Sequence, residues 1–135
     1  MAAFEYSATV LDHYERPRNV GEAAQANAQA EVRSEGHGDR LTLSLRITRD
    51  GIVDEARFRA YGCVVAIAAG SMLTEMLRGL TIADAARISD ADVAMALGGI
   101  PAAKLRCSVL AGEAIGRALG GFRGGLDGAG AAPLP

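Results

Sequence analysis

Five side chains in this 135-residue sequence carry the chemistry to grip a metal or act as a nucleophile: Cys63, Cys107, His37, His13 and Asp39. Cys63 follows Tyr61-Gly62, where a glycine breaks a strand, and stands at the entrance of an apolar helix predicted over Val64–Leu80. Unpaired N–H groups and the positive end of a helix dipole stabilise a thiolate at that place, so Cys63 is a candidate reactive or metal-binding thiol. The alternative is a buried small hydrophobe, a common fate of cysteine. Cys107 follows Arg106 and falls in the first turn of a last predicted helix, two features that favour its thiolate. Its position on the apolar face of that helix fits equally a thiol packed among alanines. His37 lies in Glu35-Gly36-His37-Gly38-Asp39, where flanking glycines let the chain approach another group closely. A His and an Asp one residue apart on such a loop can face one cation, or the loop can be a plain turn with a solvated imidazole. His13, on a short helix, reads as structural. No Ser/His/Asp triad, Walker loop, dinucleotide fingerprint or paired CxxC is present.

These groups must be positioned by a single domain, since 135 residues suffice to bury one core without disulfide staples. Half of the residues are hydrophobic but only 4% are aromatic, which leaves the core to Ala, Leu, Ile and Val. A formal net charge of -2 argues against a nucleic-acid surface. Ser71, Thr74 and Glu75 interrupt the longest apolar run, so no membrane span is expected. Met1–Tyr6 lacks the basic and apolar segments of a secretory signal, and the expected location is the cytoplasm. There the two cysteines read as thiols or metal ligands rather than as a disulfide. The chain is expected to be a monomer or a weak homo-oligomer.

Ser7 is a plausible N-cap for a helix over residues 7–14, ended by Pro17. Residues 21–27 read as a connecting loop. Ala28, Ala30 and Val32 alternate with polar neighbours in a first strand, and Leu41, Leu43, Leu45 and Ile47 do so more clearly in a second. Asp50-Gly51 supplies a turn. The return strand places Ile52, Ala56, Phe58 and Ala60 on one face, against Glu55, Arg57 and Arg59 on the other. Beyond Cys63 the period becomes helical: Val64, Ala68, Met72 and Met76 form one stripe, and Val65, Ala69, Leu73 and Leu77 another. Short helices are predicted from Thr81 or Asp84, and from Ser89 to Gly98-Gly99. A final helix is predicted over Ala103–Leu119, and residues 121–135 form a disordered Gly/Ala-rich tail to a domain of residues 1–120. Strands first and helices after predict an α+β fold, a three-stranded antiparallel sheet with helices packed on one face.

Several stretches resemble the iron–sulfur cluster assembly scaffold family, of the IscU and NifU N-terminal domain type, whose fold is IscU/SufE-like. They are Val10-Leu11-Asp12-His13-Tyr14-Glu15 with Pro17-Arg18-Asn19-Val20-Gly21, then Gly38-Asp39, Ala56-Arg57-Phe58, Tyr61-Gly62-Cys63, and Cys107-Ser108-Val109-Leu110-Ala111. The resemblance implies a non-enzymatic scaffold or carrier that binds iron and a nascent [2Fe–2S] cluster, or zinc, with sulfur supplied as persulfide by a cysteine desulfurase and the cluster passed to recipient apoproteins. Position by position it makes Cys63, Cys107 and Asp39 ligands. His37 stands where the family has its first cysteine, and Arg106 where it has a histidine before the last one. Pro101-Ala102-Ala103-Lys104 only partly resembles the Leu-Pro-Pro-Val-Lys segment read by the family's Hsp70-type chaperone. Two thiolates, one imidazole and one carboxylate still form a four-coordinate set, with Arg106 and Lys104 adding positive charge beside it. Imidazole does ligate [2Fe–2S] iron in Rieske centres. Two alternatives accompany the scaffold: a degenerate member holding structural or regulatory zinc or a single iron, and a persulfide relay using Cys107 or Cys63.

Overall fold

The computed structural model describes residues 6–34, 38–102, 104 and 109–122. Three strands, β1 (Ala28–Arg33), β2 (Arg40–Ile47) and β3 (Val53–Tyr61), form an antiparallel meander in the order β1-β2-β3. Alternation decides which face is buried. Ala28, Val32, Leu41, Leu43, Leu45, Ala56 and Phe58 turn to the core, and the register aligns them as Val32–Leu41–Ala60 and Ala28–Leu45–Ala56 across the sheet. The α+β architecture predicted from the sequence is therefore the one observed.

On that face lie α2 (Val64–Leu77) and α5 (Ala111–Gly120), the first packed on β3 and the second on β1 and β2. Helix α1 (Ala8–Glu15) packs against α2, while α3 (Ile82–Ala85) and α4 (Asp90–Ala96) connect the two long helices. The stripe of Val65, Ala69, Leu73 and Leu77 is fully buried, whereas Met72 and Met76 lie at its margin. Gly70 lets α2 come close to the sheet: a Cβ there would fall 2.6 Å from Phe58 Cε2 and closer still to Cδ2. Full burial of Phe58, 2% exposed, contributes on the order of 2–3 kcal/mol.

Caps set the helix limits where the sequence suggested. The Ser7 hydroxyl accepts from the Val10 N–H at 3.0 Å and also donates to the Leu97 carbonyl, tying α1 to the end of α4. Thr81 caps α3, and Ser89 with Asp92 forms a complete capping box on α4. Helix α2 stops at Leu77, three residues before the predicted end, because the Gly79 N–H donates to the Val53 carbonyl and the Leu80 carbonyl accepts from Val53. A bulge at Arg46/Ile47 also shifts the expected alternation. Val53 pairs with Ile47 and is buried, and Ile52 leaves the strand to bridge to Thr81.

The final helix is shorter than the predicted Ala103–Leu119. Ala102 and Lys104 have helical backbone, but Val109 and Leu110 do not, and α5 begins at Ala111. Its cap comes from elsewhere in the chain, with Asp90 of α4 accepting from the Gly112 N–H at 2.8 Å. Phe122, assigned to the tail by composition, is 4% exposed and belongs to the core.

Candidate functional site

The hairpin register assembles the site. Arg40 opens β2 opposite Tyr61, the last residue of β3, so the next residues outward, Asp39 and Gly62, face each other across the sheet end. Gly62 has φ +142, and a Cβ on it would lie 2.7 Å from the Asp39 Cγ and 3.1 Å from the Ala66 Cβ. The Asp39 carboxyl therefore occupies space that only a glycine leaves open, against the first turn of α2, and it is buried at 8% exposure. Cys63 comes next. It is the N-cap residue of α2 in extended conformation (φ -82), it is half-buried, and its side chain does not cap the helix. No acidic side chain stands in the first turn of α2, so the Asp39 carboxyl is the anionic group brought to that helix end from another strand.

The loop joining β1 to β2 carries Asp39 into place. The Ser34 N–H donates to the Asp39 carbonyl at 2.8 Å, closing the loop on the carboxylate-bearing residue, and Gly38 takes φ +79. Arg40 stacks over Tyr61 with its guanidinium carbon 4.6 Å from the ring centroid. Of the residues singled out from the sequence, the structure thus brings Cys63 and Asp39 to one sheet end. His37, Cys107 and Arg106 lie outside the described residues. Lys104 is half-buried, and its N–H donates to the Pro101 carbonyl at 2.9 Å. Among the described residues no three His, Cys, Asp or Glu side chains come together as a metal-holding group.

His13 has the structural role read for it. It is 4% exposed on the inner side of α1, its Nδ1 shares a 2.7 Å hydrogen bond with the Ser71 hydroxyl, and its Nε2 lies 3.6 Å from Glu75. The Arg18 N–H donates to the same hydroxyl at 2.9 Å, and Asn19 Nδ2 donates to Thr74 Oγ1 at 3.1 Å. Burial holds the His13 imidazole below the usual histidine range, and the Arg18 charge pushes the same way against Glu75 and Asp12. Sequence reading missed the role of Gly62 as a partner of Asp39. An even count outward from the Asp50-Gly51 turn does arrive at Arg40–Tyr61 and then Asp39–Gly62, but only because the bulge at Arg46/Ile47 offsets the Ile47–Val53 pairing nearest the turn.

Among the described residues no helix is long and apolar enough to cross a membrane. A solved structure of a putative iron–sulfur cluster assembly scaffold protein from Fervidobacterium islandicum shares the fold, with a TM-score of 0.67 at 18% identity over 84% of this chain and 96% of that one. An iron–sulfur cluster assembly scaffold protein IscU of Archaeoglobus fulgidus is 41% identical over 114 residues, covering 84% of this chain and 74% of that protein. The Escherichia coli IscU scaffold protein is 37% identical over 121 residues, covering 87% and 94%. The sequence model described as NifU-like N terminal domain matches residues 5–126, and the chain belongs to that family.

Proposed function

We propose that this protein is a scaffold on which a [2Fe–2S] cluster is built as cargo and then handed to recipient proteins, a carrier rather than a catalyst turning over a small substrate. The observation that supports the reading is the placing of the Asp39 carboxyl beside Gly62, the residue before Cys63, at the N-terminus of α2, where the glycine leaves room for it. A thiolate is the ligand that iron–sulfur chemistry favours. A carboxylate is a harder, oxygen-bearing neighbour that suits a metal to be released again. Cys107 and His37 complete the proposed set, with Arg106 and Lys104 beside it. Replacing a thiolate by neutral imidazole removes one negative charge from the ligand shell, which favours a higher reduction potential. Sulfur would arrive from a cysteine desulfurase, a partner that the family membership supports.

Anaerobic reconstitution with iron, sulfide and a cysteine desulfurase is expected to give a [2Fe–2S] absorption spectrum that Cys63→Ala and Cys107→Ala abolish. Failure to form a cluster under any condition removes the scaffold reading. One equivalent of zinc that iron and sulfide cannot displace would replace it with a structural or regulatory metal, and persulfide trapped on either thiol without a cluster would replace it with a sulfur relay.

A further inference from the structure

The face of the sheet turned away from the helices is unevenly covered. At one end residues 21–27 cross it: Ala23 is buried there and its N–H donates to the Ser44 hydroxyl at 2.8 Å. Charges at that end are matched. Arg57 Nε donates to Glu55 at 2.6 Å, and Arg46 pairs with Asp54. The other end, nearer Asp39 and Cys63, is an open groove of about 390 Å³ lined by Val20, Glu31, Arg40, Thr42, Arg59 and Tyr61.

Charge in this groove is not matched. Arg33 and Arg40 both reach the same Glu31 carboxylate, each at 3.5 Å, and Arg59 has no acidic partner among the described residues. Among the described residues on this outer face, Arg33 at the rim with Arg40 and Arg59 makes three guanidiniums against the one carboxylate of Glu31, since the Asp39 carboxyl lies on the other side against α2. Two positive charges are left over, in a chain whose formal net charge is -2. Two large apolar side chains border the same hollow, Val20 at 51% and Tyr61 at 65% exposure. The register sets its length. Glu31, Thr42 and Arg59 lie side by side on β1, β2 and β3, and Val20 bridges to Phe58 on the outer side of β3. Four chains about 4.8 Å apart span about 14 Å, the reach of roughly four extended residues.

We infer that this groove docks an extended acidic segment of a partner protein, with carboxylates on Arg40 and Arg59 and an apolar side chain between Val20 and Tyr61. Guanidinium and carboxylate match in a two-pronged fork, and the stacked Tyr61 holds the Arg40 plane ready for it. Exposed pairs of this kind are weak singly and fall off with salt, so the surface selects and steers a partner more than it clamps one. Arg40 directly follows Asp39, and Tyr61 lies two residues before Cys63, so a segment seated here brings its protein to the site end of the sheet. The groove needs no metal, and its test stands apart from cluster assembly.

The experiment titrates the full-length ¹⁵N-labelled protein, without added metal, with the acetylated peptide Glu-Leu-Glu-Leu amide and follows backbone amide shifts. Saturable shifts confined to residues 19–21, 31–33, 40–42 and 59–61 are expected, with affinity falling at least tenfold in Arg59→Glu and in high salt. Arg87→Glu, an exposed arginine after α3, should leave the affinity unchanged. Arg59→Gln serves as a second, milder variant with a several-fold loss expected, and circular dichroism confirms the fold of each. The inference is overturned if the Gln-Leu-Gln-Leu peptide binds as well, if inorganic phosphate alone produces the same shifts, if Arg87→Glu weakens binding equally, or if the shifts map elsewhere.

Discussion

Gly62→Ala puts the geometry of the site directly to the test. The substitution meets two obstacles. A φ of +142 lies where L side chains rarely go, and holding a non-glycine residue in such a region costs on the order of 1–3 kcal/mol. The new methyl would also fall 2.7 Å from the Asp39 Cγ, about 1 Å inside the usual carbon–carbon contact of roughly 3.5–4.0 Å. The buried carboxyl must then move, adding on the order of 1 kcal/mol or more of overpacking, for a total of about 2–4 kcal/mol. Gly79→Ala is the matched control, because Gly79 also has positive φ (+90) but nothing within 4 Å of the added Cβ. Urea denaturation should show Gly62→Ala as the more damaging of the two by about 1 kcal/mol or more. Adding Asp39→Gly to Gly62→Ala should recover that excess and leave the backbone cost, as coupling between touching residues requires. If Gly62→Ala is no worse than Gly79→Ala, or if Asp39→Gly recovers nothing, the carboxyl does not sit in the space left by the glycine.

Gly70→Ala should destabilise by about 1–3 kcal/mol, since its methyl would press on the Phe58 ring, and Phe58→Leu in the same chain should return part of that loss in a thermal melt. His13 binds its proton less readily folded than unfolded, so its contribution is present above the unfolded value of 6.5 and is lost as pH falls through that value toward the lower folded one. Urea midpoints measured between pH 8 and pH 5 should therefore fall on acidification, and His13→Gln should flatten that part of the profile. An unchanged slope would place the titrating group elsewhere. Asp90→Ala removes the only carboxylate seen accepting from the first turn of α5 among the described residues and should cost about 0.5–2 kcal/mol, with faster amide exchange at Gly112.

What the sequence revealed divides along physical lines. Local signals were readable: the Ser7, Thr81 and Ser89 caps, the Asp50-Gly51 turn and the two stripes of α2 depend on residues a few positions apart. Long-range effects were not. The bulge that exchanges Ile52 for Val53, the early stop of α2 and the late start of α5 all come from partners elsewhere in the fold, namely Thr81, the Val53 backbone and Asp90. Half of the proposed site followed the same rule. Cys63 was visible as a thiol before a helix, and Asp39 as a loop carboxylate, but their placing at one sheet end depends on strand register and on the missing side chain of Gly62. Phe122 was lost in a Gly-rich context that disguised a single core anchor.

The opening stretch of the chain is laced to the rest by small polar hooks. His13 and Arg18 hold Ser71 across separations of 58 and 53 residues, Asn19 holds Thr74 across 55, and Val20 lies along Phe58. None of these ties can exist before the meander and α2 have formed, and each must overcome the entropy of closing a long loop. Residues 13–20 are thus synthesised before the surface they dock on, and their ties wait for it.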